Sequence, residues 1–329
     1  YFRSQYGGAD GDIFHLVVLT EEISRAGCGG LSAGLMSHMI GLPPIIAKGS
    51  EELKARVAPP ILSGDKISAL AITEPTGGSD VAAIRTRATR DGDHWVLNGE
   101  KCFITSGMRA DYLTVAARTG SSSGAEGLSL FVVDGNSVGL TRTPMSKMGW
   151  HCSDTATLHF EDVRVPCDNL VGKENEGFLA IMANFNSERV MLSAMALGMA
   201  NVCIDEAQEW AEQRSTFGKP LIQRQVVQHR LVEMRGRVAA ATAFLDSVCW
   251  AISKGLRPIS EICMLKNQAT SAAEFCANEA MQILGGAGYM RGSKTERIYR
   301  ETKVLAIGGG SSEIMNELAA RQLGLGAKK

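Results

Sequence analysis

Apolar residues recur at helical intervals through DIFHLVVLTEEISRAG, and the pattern predicts a helix that stops at Gly27. EELKARVAPPIL carries the same period and is expected to stop at the Pro59-Pro60 pair, so residues 12 to 62 read as mostly helical. From about residue 66 to 171 the period shortens, and alternating or β-branched runs follow one another: TRATR, then Asp91-Gly92, then HWVL, then Asn98-Gly99, then KCFIT. Asp-Gly and Asn-Gly suit the positive φ angles of tight turns, which predicts two successive hairpins. YLTVAAR, LSLFVVD and ATLHFEDVRVP extend the pattern into an antiparallel sheet or barrel, with SSSGAEG at 121–127 as a loop between strands. From Glu174 onward the helical period returns, broken only by Pro220 and Pro258. Four long helices fit, over about 175–214, 223–253, 260–285 and 294–322, the last interrupted by the glycines 308–310. Long helices with short connections favour a bundle. The fold class is α+β, divided as 1–65, 66–171 and 172–329.

Composition narrows the choice of partners. With 329 residues, 45% apolar and 21% charged, the chain can bury a sizeable core and is long enough for two or three domains. A net charge of −1 gives no global basic field for a nucleic-acid backbone or an anionic membrane, so an acidic ligand has to be met locally. The longest weakly polar stretch, VMLSAMALGMANVCI at 190–204, is interrupted by Ser193, Gly198 and Asn201; it is expected to be too short for a membrane span and to form a buried helix. Eight cysteines without a CxxC pair, and six histidines without ligand spacing, predict reduced thiols in a cytosol-like compartment and no zinc. The chain opens YFRSQYGG with no Met and no signal pattern, and is expected to lack its native N-terminus and any targeting segment that went with it.

Several familiar signals are missing. No G-x-G-x-x-G follows a strand, no Walker loop occurs, and neither Ser79 nor Ser311 sits in G-x-S-x-G, which argues against a nicotinamide fold and an ordinary serine hydrolase. TEPTGGSD at 73–80 gathers hydroxyls, glycines and carboxylates, yet alone it reads as a solvated turn. Gly285 and Gly286 in QILGGAGYMRG read alone as a helix cap, and Gly218 and Pro220 in QRSTFGKPL as a helix end.

Taken together these segments are far more specific. TEPTGGSD, KCFITSG, KMGWHCSDTATLHFEDVRVP, QRSTFGKPL, QILGGAGYM and YRETKVLAIGGGSSEIM, in this order and spacing, resemble the acyl-CoA dehydrogenase family of flavoenzymes from Gln5-Tyr6-Gly7-Gly8 onward. The resemblance implies an N-terminal helical domain, truncated here, a middle β-domain and a C-terminal four-helix bundle. It also implies one FAD per subunit, a homotetramer built as a dimer of dimers, and electron-transfer flavoprotein as partner. Carried over by matching position, Thr73 and Ser79 would hydrogen-bond the flavin ring system and Thr105 would contact its N5 side. Phe103, where many relatives have Trp, would cover one face of the ring. Arg214, Phe217 and Gln225 would hold the diphosphate and adenine side, with Gln282 and Gly286 supplied by a neighbouring subunit. Ser311 and Glu313 would sit toward the flavin, and Asn186, Ser79 and Arg189 would contact substrate.

In many members of that family the α-proton is removed by a Glu in the loop matching 307–311, where this chain has Gly309. Around a helix advancing about 100° per residue, Ile181, Phe185, Leu192, Met195 and Met199 all fall within about 60° of Glu188, which sets a carboxylate on an apolar stripe. Alone, such a glutamate would read as one paired with Arg189 or reaching solvent. Ser187-Glu188-Arg189 also matches the position at which the long-chain and isovaleryl branches carry their base, and those branches have glycine in the loop. The resemblance therefore implies Glu188 as base, with the Gly309 N–H on the thioester carbonyl and trans-2-enoyl-CoA as product. An acyl-CoA oxidase or related flavin monooxygenase, and a silent acyl-CoA-binding or assembly paralogue, are the competing expectations. The compartment expected is a bacterial cytoplasm, with the mitochondrial matrix second.

Overall fold

The computed structural model describes residues 1–120 and 124–325. Its helices, in chain order, are α1 Ile13–Ser24, α2 Gly29–Leu35, α3 His38–Gly41, α4 Pro43–Lys48, α5 Glu51–Leu62, α6 Gly177–Gln213, α7 Gln225–Ser253, α8 Ile259–Leu284, α9 Gly286–Tyr289, α10 Lys294–Leu305 and α11 Ser312–Gln322. The strands are β1 Ser68–Ala71, β2 Arg87–Asp91, β3 His94–Thr105, β4 Tyr112–Arg118, β5 Leu128–Asp134, β6 Leu140–Pro144, β7 Thr155–Pro166 and β8 Leu170–Val171, with a small hairpin of β9 Ser215–Thr216 and β10 Lys219–Pro220. These elements form two compact units. One comprises 1–11, 33–147 and 151–188, the other 12–32, 148–150 and 189–329, so the division falls inside α6 between Glu188 and Arg189.

The first unit is built on a sheet ordered β6-β7-β3-β2-β4-β5-β8, with β1 alongside β4. Inward positions alternate along its long strands: Trp95 and Leu97 on β3, Ala156, Leu158 and Phe160 on β7, then Val163 and Val165. The parity on β7 shifts at Glu161-Asp162, where Asp162 takes φ 49°. With Phe131 and Leu113 these residues make one apolar core.

Three expectations need correcting here. The sheet is mixed rather than antiparallel, because β1 runs parallel to β4 and β2 meets β4 in parallel at Arg87 and Arg118. β1, the sequence SALA, is apolar and nearly all buried, which is the composition parallel neighbours need. Asp91-Gly92 makes the β2–β3 hairpin, but Asn98-Gly99 makes none. HWVL and KCFIT both pair with the same partner, β7, so β3 runs straight through them with a register break at Asn98. The Asn98 side chain exchanges hydrogen bonds with Asp162 at 2.9 Å, and Gly99 takes φ 147° against Thr86. The third correction concerns α5, which continues through Pro59 and Pro60 to Leu62, stopping within a turn of them. A proline near a helix end removes few donors, since little helix remains to lose. SSSGAEG at 121–127 falls partly outside the described residues; its described part, 124–127, leads into β5.

In the second unit α1 ends at Ser24 and the chain turns at Gly27, φ 64°. The long helices α6, α7 and α8 follow, and the last helical stretch is split into α10 and α11 by the glycine run. α6 spans 37 residues and contains the 190–204 stretch; by length and composition alone it could cross a membrane, but 83% of its apolar window is buried within the protein, as the buried helix expected there requires.

Gly99 gives a direct test of the sheet geometry. A Cβ there would lie 2.7 Å from the Thr86 Cα and 2.6 Å from its Oγ1. Gly99→Ala is expected to destabilise the protein by about 1–3 kcal/mol through overpacking and backbone strain, read as a lower urea midpoint at unchanged slope; an unaltered midpoint would refute this account of β3.

Candidate active site

Thr73, Phe103 and Thr105 belong to two segments that one buried ion pair fastens together. Lys101 has no exposed surface, and its Nζ donates to Glu74 Oε1 at 2.7 Å and to the Ile72 carbonyl at 3.0 Å. Glu74 also accepts the backbone N–H of Arg85 at 2.7 Å and of Thr86 at 3.0 Å. Between these bonds, the Cys102 N–H donates to the Thr73 carbonyl at 2.9 Å. Residues 74–77 close into a tight turn, with Glu74 and Gly77 exchanging backbone hydrogen bonds at 3.1 Å, which leaves Ser79 exposed beyond it.

The charges in this pair move each other. Burial pulls the Lys101 ammonium down to about 8, against the opposing pull of Glu74. Burial pushes the Glu74 carboxyl up, but the Lys101 charge and the hydrogen bonds from Lys101, Thr86 and Arg85 outweigh it and leave the group below its ordinary value.

Phe103 leaves the β3–β7 ladder at a second register break, between Lys101 and Ile104, and takes φ 60°. Its ring is 65% exposed, so the strand presents an aromatic face that the core does not use. Beyond Thr105 the chain turns at Ser106, φ 59°, and Asp154 holds that turn through the Met108 N–H and the Arg109 Nε, each at 2.7 Å. Ser106 Oγ is buried with no hydrogen-bond partner among the described residues. Exposed Phe103, the neighbouring Thr73 and Thr105 hydroxyls and the unsatisfied Ser106 together fit a planar, polar-edged ring system such as the flavin of FAD.

Asn186 and Glu188 lie on the part of α6 that closes the first unit. Glu188 is half-buried, its Oε2 is shielded from solvent, and Ile181, Leu192, Met195 and Met199 on the same stripe are buried.

The second unit holds the other expected residues. Arg214 closes α6, and the chain then turns back through the β9–β10 hairpin, whose tip residues Phe217 and Gly218 take φ 50° and 75°. Positive φ at both tip residues is the tight-hairpin geometry. Arg224 donates to the Thr216 carbonyl at 2.6 Å, and Gln225 then starts α7. The Phe217 ring is 98% exposed. Gln282 and Gly286 sit at another joint, where Gly285 ends α8 with φ 61° and a Cβ at Gly286 would meet nothing within 4 Å. An exposed aromatic tip beside Arg214, and bare backbone at the helix joint, suit the phosphate and adenine part of FAD.

At the glycine run, Gly309 and Gly310 take φ 66° and 100°. The Gly309 carbonyl accepts from Arg189 Nε at 3.1 Å and the Gly310 carbonyl accepts from Lys266 Nζ at 2.7 Å. Arg189, expected to touch substrate, is thus buried with its guanidinium on the loop backbone. Ser311 caps α11, its Oγ accepting the Ile314 N–H at 3.4 Å. Glu313 is held below the usual carboxylate range by a backbone N–H in its own first turn and by the Ser311 hydroxyl.

Glu74, Lys101, Asp154, Arg224 and Lys266 carry much of this geometry, and the sequence patterns did not single them out. Two signals were present: Lys101 has the inward parity of Trp95 and Leu97, and Lys266 falls on the buried stripe of Ile262, Cys263, Ala269 and Ala273. A lone lysine on an apolar face is such a signal.

Comparison with known proteins agrees with this architecture. Models of the acyl-CoA dehydrogenase N-terminal, middle and C-terminal domains match residues 1–65, 69–163 and 175–324. A crystal structure from Mycobacterium smegmatis superposes with a TM-score of 0.97 at 48% identity, covering 99% of this chain and 86% of that one. Cyclohexane-1-carbonyl-CoA dehydrogenase of Geobacter metallireducens is 37% identical over 98% of this chain and 85% of its own. The mitochondrial long-chain specific acyl-CoA dehydrogenase of Sus scrofa is 36% identical over 97% of this chain and 75% of its own. The chain belongs to the acyl-CoA dehydrogenase family. It is an FAD-dependent oxidoreductase that dehydrogenates an acyl-CoA, and homotetramers are typical of its relatives.

Glu74→Gln is expected to destabilise the protein at pH 7 by about 3–5 kcal/mol, because Lys101 loses its counter-charge in the interior. The folded-state carboxyl lies below its unfolded value of 4.5, so its contribution is complete above that value and is lost as pH falls through the lower, folded one. Urea midpoints of wild type and variant should therefore converge in acid; a penalty that stays constant with pH would refute the ion-pair account.

Proposed function

We propose that this chain converts a saturated fatty, branched or alicyclic acyl-CoA to the corresponding 2-enoyl-CoA, trans in the open-chain case, with Glu188 as the base that takes the α-proton. The observation that carries the reading is the exchange of side chains between two positions. Gly309 offers no carboxylate, while Glu188 stands on the buried stripe of α6 with Oε2 shielded from water. A thioester α-proton is weakly acidic, so its removal requires a carboxylate near the carbon and a donor on the carbonyl oxygen that stabilises developing negative charge. Glu188 receives the proton and becomes the neutral acid. The Gly309 N–H donates to the thioester oxygen, a role that needs no side chain. FAD, when bound, accepts the hydride that leaves the β-carbon.

The remaining residues bind and orient. Thr73, Ser79 and Thr105 supply hydrogen bonds to the flavin ring system and Phe103 covers one face of it. Arg214, Phe217 and Gln225 hold the diphosphate and adenine portion, with Gln282 and Gly286 contributed by a neighbouring subunit of a tetramer arranged as two dimers. Asn186 and Ser79 meet the pantetheine arm, and electrons leave to an electron-transfer flavoprotein.

The test is anaerobic mixing of purified holoenzyme with straight, branched and alicyclic acyl-CoAs while flavin absorbance is followed. At least one should bleach the flavin, and Glu188→Gln should keep its FAD yet bleach on the order of 10²- to 10⁴-fold more slowly. An unchanged rate in the variant would remove Glu188 from the mechanism, and rapid oxygen consumption during turnover would overturn electron-transfer flavoprotein as the acceptor.

A further inference from the structure

The segment between α10 and α11 contains three successive glycines, so it has little side-chain packing of its own, and peptide planes between glycines turn over with small steric resistance. Two of its carbonyls are nevertheless pinned, each by a buried cation from a different helix: Arg189 on α6 and Lys266 on α8. In a trans peptide the N–H points opposite to the C=O. Holding the Gly309 carbonyl therefore fixes the direction of the Gly310 N–H, and holding the Gly310 carbonyl fixes that of Ser311. Among the described residues the N–H groups of Gly309, Gly310 and Ser311 have no backbone acceptor. A third constraint comes from below: a Cβ at residue 310 would lie 2.5 Å from the Met315 Cε, and Met315 is fully buried.

Packing alone does not account for Lys266. Cys263, one turn before it on α8, forms an apolar cluster with Met315, Ala319, Ile314 and Leu318. A methionine of similar volume would fill such a place without the cost of burying an ammonium. What the ammonium adds is a donor on the Gly310 carbonyl in a low-dielectric setting. It polarises that peptide and strengthens the N–H on its other side as a donor.

We infer that Lys266, together with Arg189, is a positioning residue for the thioester: the two cations fix the Gly310 and Ser311 amides directly and, by anchoring the backbone on both sides of residue 310, hold the adjoining Gly309 N–H in place as a preformed donor to the acyl carbonyl oxygen. The inference rests on the reading that this loop receives the thioester, and it assigns to Lys266 a part in the reaction although it touches neither substrate nor cofactor.

The experiment uses holoenzyme and an enoyl-CoA labelled with ¹³C at the carbonyl, whose stretching frequency falls as hydrogen bonds to the oxygen strengthen. Wild type should bind it with a clear downshift from the free ligand. Lys266→Met should lose at least half of that downshift and slow anaerobic flavin reduction by acyl-CoA about 10- to 100-fold, while FAD content stays near one per chain. Lys266→Gln, which keeps an N–H donor without a charge to bury, should fall between the two and serves as the measured variant if the methionine protein is recovered without FAD. A downshift and reduction rate equal to wild type in the variant that holds FAD would overturn the inference, leaving Lys266 a purely structural role. No downshift in wild type itself would instead overturn the reading that loop amides bind the thioester.

Discussion

An ammonium group removed from water is tolerable only where acceptors surround it, and among the described residues two such groups, Lys101 and Lys266, have no exposed surface. Each is satisfied by backbone carbonyls of segments outside regular structure. Lys101 takes the Ile72 carbonyl along with Glu74, and Lys266 takes the Gly310 carbonyl. The requirement works in both directions. The lysine cannot move without leaving a desolvated charge, so the segment it holds cannot move either.

That constraint explains how segments rich in threonine and glycine present backbone and small hydroxyls in fixed positions. TEPTGGSD and the 306–311 loop have few side chains of their own to pack, and a loop of that kind ordinarily opens with little free-energy cost. Here the β3 strand carries Lys101 under one segment and α8 carries Lys266 under the other. The rigid elements therefore supply the order and the loops supply the accessible groups, which is the division of labour that preorganised sites need. Phe103 follows the same logic: because Cys102 donates its N–H to Thr73 rather than to β7, the strand breaks register and the next ring is turned away from the core.

Much of this was legible in the sequence where a single period or motif governs a whole element. The helical spacing of 177–213, the Asp91-Gly92 hairpin and the alternating strands follow from local chemistry. Asn98-Gly99 misled because a turn-prone pair also fits a bulge, and the choice was made by β7, more than fifty residues away, with Asp162 binding Asn98. The Pro59-Pro60 pair misled because a proline's effect depends on how much helix follows it, and here only Ile61 and Leu62 do. The parallel β1–β4 pairing has no local signature at all. At the site, the exposed residues of the family motifs were visible as motifs, whereas Glu74, Lys101 and Lys266 were hidden by the habit of placing charge on the surface.

The location of the proposed base and the shape of the glycine loop are linked by backbone geometry. Residue 309 sits at φ 66°, a conformation that costs an ordinary side chain roughly 1–2 kcal/mol and costs glycine almost nothing. A loop that turns its carbonyls into Arg189 and Lys266 is thus poorly suited to carry a glutamate at that position. The helix that bears the proposed base, α6, also carries the cation the loop uses, one residue further on at Arg189. Consecutive helical residues point about 100° apart, so Glu188 and Arg189 face different sides of one helix, and it is Arg189 that holds the loop backbone. A carboxylate on a long, buried helix also has less freedom to wander than one on a three-glycine loop, and its environment is set by the same packing that holds the bundle together.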